Sequence, residues 1–322
     1  MALYHVFLPA GNAQLLKSGS WVIIGRPRRS VRRNLCSGQA RAGERNVSVT
    51  PKPAAVQGKA IRRPRLAAIA VALSVLVLLL FIELPPASLL GKADLVGYGI
   101  CHRLPERSFF LNGRQLPLCA RCTGTFLGAV VGLLAMLLRR RGRASQLPPL
   151  PILAILIAFT GFWAFDGLNS YLTLFPGAPH LYEPHNWLRL STGLLNGLTL
   201  ISFTFPIWNF TVWREPARQP VIKNVGELIA ILPVLALLVG VIQSGIGFLL
   251  YPVALISSLG VLLLLTLINA MIATVVLRLE GMASNWLQAL VPLTVGAGLA
   301  VLEIGAMVLL RAYLTTALGL SF

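Results

Sequence analysis

The sequence predicts an all-α protein: a polytopic transmembrane helix bundle of about seven spans behind a disordered basic N-terminal tail. Three observations carry this. Of 322 residues, 56% are hydrophobic and 12% charged, whereas a soluble domain carries roughly a quarter charged residues. Mean hydropathy is +0.76, and windows near or above the ~18 apolar residues that cross a bilayer follow one another along the chain. These windows do not alternate apolar with polar residues, which argues against the strands of a membrane β-barrel.

Taken in order, residues 1–65 are the tail. Residues 1–66 hold 13 of the 28 Lys and Arg and a single acid, Glu44. Clusters such as Arg26-Pro27-Arg28-Arg29 and Arg62-Arg63-Pro64-Arg65 show no helical or strand period, so the segment reads as disordered. With neither core nor motif, it is equally expected to precede a true start at a non-Met codon such as Val47 or Val49. Its charge suits anionic lipid headgroups rather than nucleic acid, because the rest of the chain is greasy and charge-poor. The expected spans are 66–84, 122–138, 150–165, 187–208, 228–243, 248–277 and 286–310. They group into a motif-bearing membrane domain of four spans and two outer loops, 66–212, and a C-terminal membrane segment of about three spans, 213–322.

Lys and Arg collect in the cytoplasmic loops of membrane proteins. With the tail inside, the loop holding Arg139, Arg140, Arg141 and Arg143 is inside, as are those holding Arg214, Arg218 and Lys223, and Arg278. Lys92, Arg103, Arg107, Arg114, Arg121, Arg189 and Arg311 remain outside or at outer helix ends. The expected location is therefore integral to a plasma membrane, bacterial by expectation, with the N-terminus cytoplasmic and the C-terminus extracytoplasmic. Oligomeric state is not readable from the chain. Loops 85–121 and 166–186 then face outward, and they hold the residues capable of chemistry.

Three of the four cysteines and one of the four histidines fall within residues 101–122. Cys101-His102 precedes Cys119-Ala120-Arg121-Cys122, a CxxC whose two sulfurs can serve one ion or one disulfide. Cys101, His102, Cys119 and Cys122 are a Cys3His set for tetrahedral zinc, with His180 or His185 as substitutes for His102. The positive end of the second span, with Arg121 beside it, favours a thiolate at Cys122. That argument serves metal binding and disulfide exchange equally, so three readings stand. They are a zinc site, structural or open to water for hydrolysis; a membrane thiol-disulfide oxidoreductase using Cys119 and Cys122; and a transporter or scaffold with a structural disulfide. Vitamin K epoxide reductase-type enzymes also keep CxxC at an outer helix end, but they carry a second cysteine pair in a loop where this chain has Cys101 alone.

The second outer loop offers Asp166 and then Asn186, Arg189 and Thr192, which with Arg107 and Arg121 are candidates to touch a substrate or a lipid headgroup. Gly124, Gly128 and Gly132 in the second span and Gly193 and Gly197 in the fourth are small-residue stripes that let helix backbones approach closely. If they meet, the cysteines come near Asn186, Arg189 and Thr192. Glu303, deep in the seventh span, is a candidate intramembrane proton site or a carboxyl hydrogen-bonded to Asn269.

The residues Cys101-His102 through Pro105, Glu106, Arg107, Ser108, Phe109 and Phe110, then Cys119, Arg121, Cys122, Thr123 and Gly124, resemble the membrane family called domain of unknown function 2085. So do Asp166-Gly167, Asn186, Arg189, Thr192 and Gly193. The likeness covers about residues 95–200 and implies a helical membrane protein without an assigned reaction.

Overall fold

In a computed structural model that describes residues 64–175 and 177–319, the chain is an all-α bundle. Seven of its helical segments are long and apolar enough to cross a membrane. The basic tail, and with it any headgroup contact it makes, lies up to residue 63 outside the described residues. The helices are α1 (Pro64–Glu83), α2 (Leu89–Ile100), α3 (Ala120–Leu138), α4 (Leu150–Leu172), α5 (Asn186–Val212), α6 (Val225–Ile229), α7 (Leu232–Gln243), α8 (Leu250–Val276) and α9 (Trp286–Leu318). Short α6 and α7 together make one apolar segment, Val225–Gln243, broken where Pro233 opens α7.

Two differences from the expected spans matter for the site. First, α4 runs two turns past its expected end at residue 165. The reason is that Asp166, Asn169 and Ser170 find partners inside the protein, so polar residues continue the helix without facing lipid. Second, the expected outer loop 85–121 contains α2. Ser88 caps this helix by accepting from Gly91 N at 3.1 Å. At 12 residues it is too short to span, and it lies against α8 and α9.

The centre of the bundle is the seam between α3 and α5. A Cβ added at Gly124, Gly128, Gly193 or Gly197 would overlap a backbone carbonyl of the facing helix: those of Leu190, Leu194, Arg121 and Thr125 respectively. Both helices begin on the face that carries the cysteines, so this seam aligns Cys119 with the first turn of α5. Leu190, Leu194, Leu198 and Ile201 of α5 are wholly buried along it.

At the opposite face a polar and aromatic clamp joins the helix ends. The short strand Ala144–Gln146 pairs in parallel with the strand Ala217–Pro220. Asn209 donates to Ala144 O at 2.8 Å and accepts from Trp213 Nε1 at 2.8 Å. Trp213 packs edge-on against Trp286 with centroids 4.7 Å apart, and Arg143 lies 4.1 Å above its ring. Arg141, 5% exposed, bonds Val221 O at 2.9 Å and grips both oxygens of Glu227 in a forked pair. Removing one partner from such a buried pair leaves an uncompensated charge. Glu227→Ala is expected to destabilise the protein by about 3 kcal/mol, while the double variant Arg141→Met/Glu227→Leu recovers most of that loss. Chemical unfolding in detergent, monitored by tryptophan fluorescence, measures both.

Candidate metal centre

Helix α2 ends at Cys101, whose N–H bonds Gly97 O at 2.8 Å. The chain then turns back through a 3₁₀ turn, Pro105–Arg107, and a hairpin of Phe110–Leu111 with Arg114–Gln115. Asn112 and Gly113 close the hairpin with positive φ of 52° and 72°, the conformation that favours Asn-Gly at this place. Leu116, Leu118 and Cys119 are buried on the return. Gly97 permits the closest approach: a Cβ there would overlap Pro117 O. That contact sets Cys101 against Cys119, the N-cap of α3, with Cys122 in the helix's first turn.

The sulfurs of Cys101, Cys119 and Cys122 lie within 4.8 Å of one another, a group of potential metal ligands among the described residues. Cys101 and Cys119 are each 3% exposed. Cys119 N–H donates to Cys101 Sγ at 3.2 Å. The Cys101 thiol is held well below its usual range because the thiols of Cys119 and Cys122 donate to its thiolate, which outweighs the cost of burial. Cys119 is pushed up by the same bond to Cys101 and by burial.

His102 is outside this sulfur group. Its ring is exposed, and Nδ1 accepts from Leu104 N at 3.1 Å. His180 and His185 belong to an exposed loop, bonded to Glu183 Oε1 at 3.0 Å and Glu183 O at 2.7 Å.

Polar residues of α4 and α5 border the sulfurs. Asp166, 1% exposed, is paired with Arg121 and accepts from Tyr182 O–H at 2.9 Å. Burial and that carboxylate push the Tyr182 hydroxyl up to about 12. Asn169 holds the same loop, donating to Tyr182 O at 2.9 Å and accepting from Leu181 N at 2.7 Å. Arg189, 6% exposed, donates from Nε to Ser170 Oγ at 2.9 Å and from Nη1 to Asn186 Oδ1 at 2.8 Å. Asn186 reaches across to Glu106 O at 3.2 Å and Ser108 O at 3.3 Å. Arg107 donates from Nη2 to Ser170 O at 2.8 Å and Thr173 Oγ1 at 3.4 Å. Burial, and next the charge of Arg121, lower the Arg107 guanidinium from its usual range.

Two of the sequence candidates stand apart. Thr192 turns its hydroxyl into its own helix, to Leu188 O at 2.9 Å and Arg189 O at 3.3 Å. Glu303 is exposed on α9, its Oε2 accepting from Asn269 Nδ2 of α8 at 2.9 Å. Residues that the sequence reading overlooked hold the site together. Arg311 of α9 donates to Tyr98 O at 2.7 Å and Cys101 O at 2.6 Å and lies 4.4 Å over the Tyr98 ring, closing the carbonyl end of α2. Gly97, Ser170 and Tyr182 likewise carried no motif. Gly97 has a small-residue spacing, from Ala93, that marks a close helix approach, within the expected loop 85–121.

The family described as "Predicted membrane protein (DUF2085)" matches residues 101–203. An uncharacterized protein of Methanothermobacter thermautotrophicus is 37% identical over 106 residues, 33% of this chain and 84% of that one. One of Methanocaldococcus jannaschii is 29% identical over 116 residues, 36% of this chain and 68% of its own length. Both relatives are archaeal. No solved structure matches.

Proposed function

Since the chain belongs to the DUF2085 family of membrane proteins, whose matched segment holds all three clustered sulfurs, we propose that it binds one zinc ion through Cys101, Cys119 and Cys122 at the extracytoplasmic face of the bilayer. The observation that carries this reading is the convergence of three cysteine sulfurs, from two separate segments, within 4.8 Å. Zinc with Zn–S bonds of about 2.3 Å in a tetrahedron needs sulfurs roughly 3.8 Å apart, which is compatible with sulfurs that all lie within 4.8 Å of one another. Three thiolates around a divalent cation leave one net negative charge, which Arg107, Arg121 and Arg189 offset. The orientation rests on Arg139, Arg140, Arg141 and Arg143 at the opposite ends of α3 and α4.

His102, the fourth donor expected from the sequence, would have to turn in toward the sulfurs from its exposed place beside Leu104 N–H to complete the set. Four protein ligands would make the centre structural, whereas three cysteines with the fourth position open to water would hold a zinc ion able to act as a Lewis acid. The protein's own part is to keep the sulfurs buried, hold them at the N-terminus of α3 and surround them with cations.

The chain purified in detergent is expected to contain about one zinc per molecule by elemental analysis, with its clustered thiols reactive only after a chelator is added. A metal-free preparation whose Cys119 and Cys122 form a reducible bond would assign the sulfurs to thiol-disulfide exchange instead. The binding has a defined pH sign. Cys119 holds its proton above the usual thiol range, so taking up zinc at neutral pH expels it, and acid opposes binding. Zinc affinity is expected to fall at least about tenfold for each pH unit below 7, measured by competition with a chromophoric chelator.

A further inference from the structure

Beside the sulfurs, we infer that Arg107, Arg121 and Arg189 form a receptor for a phosphate-bearing anion. The three guanidinium groups come from three separate segments: the turn after α2, the first turn of α3 and the first turn of α5. Arg107 and Arg189 are tied to the same residue, Ser170. Arg121 lies within electrostatic reach of both, and all three act on His102. Asp166 is the buried carboxylate among them, and it is already engaged by Arg121 and Tyr182. Glu106 is exposed. Asp166 therefore offsets one of the three positive charges, through Arg121, and leaves the cluster in net positive excess.

Each guanidinium also keeps at least one nitrogen that donates to no described acceptor. Arg107 is engaged through Nη2, Arg121 through Nη2, and Arg189 through Nε and Nη1. Among the described residues nothing accepts from Nε or Nη1 of Arg107, Nη1 of Arg121 or Nη2 of Arg189, and Arg121 Nε is buried without a partner. Buried donors normally find an acceptor, and Arg189 is itself 94% buried, with 6% exposed. Two helices, α3 and α5, start at this place, and neither receives a side-chain hydrogen bond from its N-cap residue, Cys119 or His185. Their positive ends add to the field. Free N–H donors brought from three separate segments suit an oxyanion with several acceptor atoms, as a phosphate has, rather than a flat carboxylate, which a single fork satisfies. The ligand is a phosphate group with net negative charge, borne on an anionic lipid headgroup or free in solution, so that zwitterionic phosphatidylcholine serves as the control. The inference does not require a bound metal.

The test uses the full chain purified in phosphate-free buffer. One arm titrates inorganic phosphate and reads heat and thermal stability. The other compares nanodiscs of phosphatidylcholine alone with nanodiscs containing phosphatidylglycerol and reads retained lipid by native mass spectrometry. Saturable binding in either arm supports the inference and identifies the source. Arg107→Gln is expected to weaken it at least tenfold. Arg114→Gln, from the more exposed pair with Asp94, should leave it unchanged. Should Arg107→Gln fail to fold, Arg107→Lys keeps the charge but loses the fork and is expected to weaken binding about fivefold. No saturable binding in both arms, or wild-type binding by the Arg107 variants, overturns it. Repeating the titration with Cys119→Ser separates it from the zinc reading, since the phosphate response should persist when the metal is lost.

Discussion

Cys119→Ser is expected to empty the zinc centre, lowering affinity by more than about a hundredfold, because even partners one bond removed from a ligand are worth 10- to 100-fold. The variant is informative because it spares the helix. Cys119 is the N-cap of α3, and it makes no side-chain cap bond. Serine is among the favoured residues at that position, so α3 is kept while a thiolate is removed. Elemental analysis and chelator competition read the metal, and circular dichroism checks the fold. Cys122→Ser should behave alike. Retention of one zinc per chain in both variants would refute the proposed centre. His102→Ala resolves the fourth ligand: a loss of roughly tenfold marks direct coordination, and an unchanged affinity leaves that position to water.

Gly197→Val should be the most damaging single change in the membrane domain, at about 3 kcal/mol or more. The added Cβ meets the backbone carbonyl of Thr125 and also crowds Ala129 N, and no rotamer can move those atoms aside. The helices must separate, which gives up the close packing that holds small-residue seams together in lipid. Gly128→Val, against Leu194 O, is the reciprocal test. Gly161→Ala in α4, where a Cβ meets nothing within 4 Å, is expected to be neutral or to stabilise by up to about 1 kcal/mol. Thermal unfolding in detergent ranks the three. Because α3 carries Cys119 at its start and α5 carries Arg189, the damaging variants are also expected to lose zinc.

Much of the architecture was legible because lipid imposes a local rule. Each span must satisfy its own backbone and present about 20 apolar residues, so hydropathy located seven crossing segments with errors mostly at their ends. The stripes of Gly124, Gly128, Gly193 and Gly197 were legible for a similar reason, since a missing side chain has meaning only where another backbone comes close. Helix α2 was not legible. It sits in a segment holding Lys92 and Asp94, and its support comes from elsewhere: Arg311 holds its end from more than 200 residues away. The extra turns of α4 were hidden because Asp166 and Ser170 read as loop residues until Arg121, Tyr182 and Arg189 supply their partners.

The order of the residues thus established a membrane bundle, its crossing segments and a short list of chemically capable side chains, each a property of a stretch of chain read alone. Which of those side chains meet was set by packing. Three sulfurs cluster while His102 accepts from a neighbouring N–H, and Arg107 and Arg189 meet at Ser170 while Arg121 pairs with Asp166. The CxxC and the glycine stripes pointed to the cysteine set, but which donors join it depends on distances between segments far apart in the chain, fixed only when α2 closes on Pro117 and α3 on α5.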